Sequence, residues 1–187
     1  MDRIIDETTN AVVAAIHGVN NIFEALTDTV KNQVVNVLSG TGEVAASGVE
    51  AVASVASGAI KGAGQVGTSL TDTIFSTMSG VVKGASQVGG DVISAMRGAA
   101  QGIVSATAET GGDVGVAAVA AVESAIKSAG EIGADTSEAA KAAVGGVLDA
   151  ATTVGGSTAQ TVRDALLSTA TLPREIVESA INNKDKD

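Results

Sequence analysis

The chain has 187 residues, of which 45% are hydrophobic and 1% aromatic, with 23 glycines, one proline and no cysteine. The missing thiols exclude disulfides and cysteine metal sites, and the formal net charge of −10 argues against nucleic acid and anionic lipid as partners. Because alanine, valine and glycine bury little area per residue, we expect a single copy to be marginally stable and to need other copies or an apolar surface.

Residues 1–42 are predicted to form an amphipathic helix followed by a glycine turn. The first ten residues are polar and supply acidic and capping side chains for a helix start. One helix over residues 11–38 is predicted from aliphatic and aromatic residues that recur at spacings of three and four: Val12, Ile16, Val19, Phe23, Leu26, Val30, Val34 and Leu38. His17 is the single histidine, so we interpret it as structural rather than as a ligand. A turn at residues 39–42 would fold this helix back as a helical hairpin.

Residues 43–156 form a repeat region with a period of 22 residues. The clearest phrase recurs five times: Gln65-Val66-Gly67, Gln87-Val88-Gly89, Glu109-Thr110-Gly111, Glu131-Ile132-Gly133 and Thr153-Val154-Gly155. Twenty-two is twice eleven, and eleven residues make three helical turns at about 3.67 residues per turn. Apolar residues recur at spacings of three and four inside each unit, which predicts helix and not strand.

The glycine pairs inside the repeats allow two interpretations. They could end short helices of about 18 residues stacked as a solenoid, because Gly89-Gly90-Asp91 and Gly111-Gly112-Asp113 resemble a helix C-terminus followed by an N-cap. Alternatively, long helices could run through them. We favour long helices, because the apolar columns keep their helical phase across every glycine pair. The predicted fold is all-α, with long repeat helices forming a helical hairpin or an extended helix packed side by side with other copies.

The apolar columns and the periodic glycines are the predicted self-association surface. Each glycine inside a helix costs about 0.8–1 kcal/mol relative to alanine, and the close approach of another helix would offset that cost. The candidate residues form two apolar flanks with small residues beside them: Ile60, Val66, Leu70, Ile74, Val82, Val88, Val104, Val114, Ile126, Ile132, Leu148, Val154, Gly58, Gly80, Gly102 and Gly146.

Residues 157–187 are predicted to contain two further helices and a polar tail. Residues 158–167 keep a helical pattern, and Pro173 ends it because the residue before a proline avoids the helical region. A short helix is expected over residues 174–181, and residues 182–187 form the tail. No secretory signal is evident, because residues 1–7 lack its basic-then-apolar layout. No membrane-spanning helix is evident either, since the most apolar stretches, residues 51–60 and 114–122, are too short.

The sequence carries no recognisable set of catalytic groups. One histidine and no cysteine provide no nucleophile–base pair, and the glycine-rich segments lack the flanking strand and lysine of a phosphate-binding loop. We therefore predict no enzyme, no cofactor, no metal site and no small-molecule substrate.

Part of the chain resembles known classes of helical protein. The motif Gly80-Val81-Val82-Lys83-Gly84-Ala85 and the Val/Thr/Gly/Ala alphabet of residues 43–156 resemble the eleven-residue-repeat (hendecad) amphipathic helices of synucleins, perilipins and group 3 late-embryogenesis proteins. That resemblance implies a helix lying on a lipid surface, although the lysine-rich repeats typical of synucleins are missing. The region is also similar to viral and bacterial proteins whose long helices associate into tubes, which implies self-assembly.

We expect a structural protein that forms a homo-oligomer of high order. Its glycine-, alanine- and valine-rich helix flanks would build a bundle, sheet, tube or filament. The alternative is an amphipathic coat on a lipid or storage-granule surface. The width of the apolar arc, the cost of the glycines and the acidic charge favour self-assembly.

Overall fold

The computed structural model describes residues 2–17, 21–41 and 46–184, and these ranges contain nine α-helices and no strand. The all-α prediction is confirmed, and the helices pack side by side. They are α1 (Asp2–His17), α2 (Ile22–Thr41), α3 (Ala46–Gln65), α4 (Leu70–Gln87), α5 (Val92–Glu109), α6 (Val114–Glu131), α7 (Thr136–Val154), α8 (Thr158–Ser168) and α9 (Arg174–Lys184).

The helices form two layers. The most extensive contacts join helices two apart in the chain, α1 with α3, α2 with α4, α3 with α5 and α5 with α7. The odd-numbered helices therefore make one layer and the even-numbered helices the other. Helices within a layer are parallel, since Gly80 and Gly84 of α4 lie beside Thr27 and Lys31 of α2 in the same order. From α3 onward, short turns reverse the chain between consecutive helices, so the two layers run in opposite directions. This is a solenoid in which one 22-residue unit supplies one helix and one turn. We call the outer surfaces of the two layers the odd face and the even face.

Each glycine turn ends one helix and starts the next. Gly89 has φ of 67°, which favours glycine, and the Gly90 N–H donates to the Ala85 carbonyl oxygen at 2.9 Å, as in a Schellman motif. The Asp91 carboxylate then accepts a hydrogen bond from the Ser94 N–H and caps α5. Positive φ recurs at the equivalent glycines Gly67, Gly111, Gly133 and Gly155. Continuous helices through the glycines are therefore wrong, and the short-helix solenoid is the observed architecture.

The N-terminal region differs from the predicted single helix. α1 already begins at Asp2 and ends at His17, and α2 runs from Ile22 through residues 39–41, where a turn was predicted. Both helices belong to the same 22-residue register as the repeats. One column of fully buried side chains demonstrates this: Val12, Val34, Ala56, Met78, Ala100, Val122, Val144 and Leu166. Val19, residues 42–45 and the side chains of Ile16 and His17 lie outside the described residues.

The C-terminal prediction agrees with the structure in its helices. α8 covers the expected segment, and α9 begins directly after Pro173 and continues to Lys184, three residues beyond the predicted end. Residues 185–187 lie outside the described residues. One hydrophobic core runs between the layers from Val12 in α1 to Ile181 in α9. Within the described ranges, no helix is both long enough and apolar enough to cross a bilayer.

Candidate self-association surfaces

Most of the predicted self-association residues are covered by helices of the same chain. Ile60, Ile74, Val82, Val104 and Leu148 are at most 3% exposed. A second group is half-buried near the helix ends and layer borders: Val66, Leu70, Val88, Val114 and Ile126. Ile132 directly follows α6 and is 42% exposed, and Val154 is the last residue of α7 and is 44% exposed. The two apolar flanks thus have neighbours within one copy.

The predicted glycines lie where parallel helices of one layer approach most closely. A Cβ added at Gly80 in α4 would lie 2.6 Å from the Thr27 carbonyl oxygen and 2.8 Å from the Val30 Cβ, both in α2. Gly58 faces α1 in the same way, Gly102 faces α3 and Gly146 faces α5. Small residues therefore allow backbone contact inside the solenoid, as they do between tightly packed membrane helices.

The odd face is built from small and polar side chains. Its outward positions on α3, α5 and α7 include Ala53, Gln101, Ser105 and Gly145. Two of its basic groups, Lys61 and Arg97, have acidic partners on neighbouring helices. Lys61 Nζ lies 2.7 Å from a Glu109 carboxylate oxygen, and Arg97 Nη2 lies 2.7 Å from one of Asp149. This face presents hydroxyls, amides and paired charges.

The even face carries large apolar side chains between charged ones. On α4 the outward positions include Asp72, Phe75 and Lys83. Two repeat units later in the chain, the equivalent positions on α6 are Val116 for Asp72, Val119 for Phe75 and Lys127 for Lys83. These α6 residues complete the even face beside α4.

A groove runs along this face between α6 and α8. It has a volume of about 330 Å³ and is lined by Val116, Val119 and Ala165, among others. Val116 is 47% exposed, and Leu167 of α8 is 38% exposed. The Lys127 ammonium lies 4.2 Å from the centre of the Phe75 ring, within the range of a cation–π contact. Sequence analysis missed this face, although its positions recur at the same 22-residue spacing as the core.

A cavity of about 570 Å³ lies between the α3–α4 and α5–α6 turns. Four threonines line it: Thr68, Thr73, Thr107 and Thr110. Their hydroxyls are engaged, since Thr107 donates to the Ile103 carbonyl and Thr68 to the Ala63 carbonyl. Thr110 is the one exception in an otherwise aliphatic column. These contacts stabilise helix ends and leave a cavity with mostly methyl and methylene walls.

Ionisable groups in the described ranges serve helix ends and surface pairs. Hydrogen bonds from Ser94 lower the pKa of Asp91, and a hydrogen bond from exposed Arg174 to Glu178 raises the pKa of that guanidinium. No group of three or more histidines or carboxylates in this part of the chain is arranged to hold a metal ion. Neither a protein-family model nor a curated protein matches this chain.

Proposed function

We propose that the protein has a structural role and acts by associating with further copies of itself through the outer surface of its helical array. The observation that supports this is the even face. Val116 remains 47% exposed in the middle of a layer, beside an apolar groove, whereas Val154, which is 44% exposed, is the last residue of its helix. A contiguous apolar surface with a polar border is typical of a protein interaction site.

The two ends of the array favour lateral over end-to-end association. Asn32 and Asn36 of α2 are exposed. They are equivalent in the repeat to Ser76 and Gly80 of α4, which contact α2, the preceding helix of the same layer. At the other end, α9 exposes Glu175, Glu178 and Asn182. Polar outer faces on terminal helices disfavour the stacking of one solenoid on the next. Copies would therefore meet through the faces of the layers.

The proposal differs from the sequence-based expectation in which residues would mediate association. The flanks expected to need other copies are covered within the chain, so the outward register positions would mediate contact instead. A bundle, sheet, tube or filament would then be built from compact solenoids rather than from aligned long helices. A coat on a lipid or granule surface is the alternative, with the even face against the lipid.

Sedimentation velocity and negative-stain electron microscopy over a range of concentrations test this proposal. We expect species larger than the 18.1 kDa monomer that increase with concentration in plain buffer. A monomer at every concentration would refute self-association. A monomer that binds neutral lipid vesicles would favour the coat instead. Sedimentation velocity in the presence of vesicles measures this binding.

A further inference from the structure

We propose that two copies associate through their even faces about a twofold axis that lies in the interface and runs across the helices. This inference rests on the proposed self-association and adds the surface and the symmetry. It would make the helices of the two contacting layers antiparallel, with α4 against α4 and α6 against α6. The contact would be isologous, so each side would contribute the same residues.

The distribution of charge selects the even face. The chain has a net charge of −10, so two copies repel each other unless they meet where charges balance. The outward positions of α4 and α6 carry Asp72 and Glu123 against Lys83 and Lys127, which balances two acids with two bases. On the odd face, two of the bases, Lys61 and Arg97, are already held in ion pairs within the chain.

The positions of these charges along the helix select the symmetry. Asp72 and Lys83 are eleven residues apart on α4, so they lie on the same side of the helix about 16 Å apart. Neither takes part in an ion pair with any residue that the structure describes. An axis across the helices reverses their direction and brings Asp72 of each copy opposite Lys83 of the other. An axis along the helices would instead bring Lys83 opposite Lys127.

Apolar contact would fill the space between the charged rows. Phe75 and Val119 lie between them on α4 and α6, close to where the axis would pass. Val116 would meet the aliphatic stem of Lys127 of the second copy, because lysine covers apolar surface while its ammonium stays in water. Opposite charges at the border and apolar side chains at the centre are the usual anatomy of such an interface.

The test measures the dimer dissociation constant by sedimentation equilibrium for the wild type and four variants. Val116→Lys should raise this constant about tenfold or more, because each dimer loses two apolar contacts and sets two lysines against Lys127 of the other copy. Ile132→Lys is the matched control. Ile132 has similar exposure but lies in the α6–α7 turn, away from the even face, so this change should alter the constant less than about threefold.

A charge reversal tests the symmetry. Lys83→Glu places two like-charged pairs in each dimer and should weaken it severalfold, and the double variant Asp72→Lys/Lys83→Glu should restore the wild-type constant to within about threefold. Restoration is expected only if the two residues face each other between copies. Circular dichroism of each variant verifies the fold.

The outcomes separate this inference from the proposed function. If the wild type associates and all four variants associate equally well, the even face is not the interface, while self-association stands. Weakening by Val116→Lys without rescue by the double variant overturns the symmetry. A wild-type chain that stays monomeric at every concentration overturns both.

Discussion

Replacing Gly80 with alanine should destabilise the protein, although alanine is the better helix former. At an isolated helical site, Gly→Ala stabilises by about 0.8–1 kcal/mol. At Gly80 the added Cβ would lie 2.6 Å from the Thr27 carbonyl oxygen, where ordinary contact begins at about 3.4 Å. A backbone carbonyl has no rotamer to change, so α4 and α2 must separate by most of that difference.

The size of the effect follows from two opposing terms. Overpacking a close contact costs about 1–3 kcal/mol, and a contact between two backbones belongs at the upper end of that range. Subtracting the gain in helix propensity leaves a net loss of about 2 kcal/mol. For a chain of this length, such a loss lowers the melting temperature by about 4–8 °C. Urea denaturation followed by circular dichroism measures the free energy of unfolding directly.

Gly64→Ala is the matched control. Gly64 lies in the last turn of α3, and a Cβ there would meet no atom within 4 Å. The same substitution should therefore stabilise the protein by up to about 1 kcal/mol, which is the opposite sign. Equal stabilisation by both variants would show that α2 and α4 are not in close contact at Gly80, and the packing argument would fail.

Three further predictions concern single sites. Thr77→Val should stabilise the protein by about 1–2 kcal/mol, because the buried Thr77 hydroxyl has no hydrogen-bond partner. Thr107→Val should not stabilise it, because this change removes a 2.8 Å hydrogen bond. Urea denaturation curves of the two variants measure the difference. Gly89→Ala should cost about 1–2 kcal/mol in the same assay, since its φ of 67° strains an L-residue. The lowered pKa of Asp91 means that its ionised form stabilises the fold above the unfolded pKa near 3.8. The stability difference between the wild type and Asp91→Asn should therefore shrink as pH falls below about 4, and unchanged spacing of the two stability curves would contradict this.

The helical class and the repeat length could be predicted from the sequence, because the spacing of apolar residues reports the face that a helix buries. The end of each helix could have been predicted too. Asp91, Asp113 and Asp135 all follow an αL glycine at a fixed distance, and their carboxylates accept hydrogen bonds from the next helix. Local cap chemistry identified these ends correctly, whereas helical phase indicated the opposite.

Helical phase could not distinguish the two architectures because 22 residues satisfy both. A unit of this length spans six turns of a helix wound at about 3.67 residues per turn, so a continuous helix would keep its stripe aligned. A solenoid with one helix per unit also repeats its core positions every 22 residues, because each new helix must present the same face to the same core. Met78 and Ala100 are therefore in phase across Gly89 although the chain reverses between them. The period fixes which residues are equivalent, while the glycine turn determines how they are arranged in space.

The same ambiguity concealed the candidate interface. In a long helix, the columns of Ile60 and Val66 would lie on two flanks open to other copies, and Asp72 and Val116 would share a solvated side. In the solenoid, both flanks face helices of the same chain, and the column of Asp72 and Val116 is among those that remain outside. Its members change from acidic in α4 to aliphatic in α6, so no periodicity in residue type identifies the column. Once the layers are known, the aliphatic residue in this column is seen to lie beside an apolar groove and next to balanced charges. In a repeat protein, an outward position whose residue type changes between repeats is where we would expect an interaction surface.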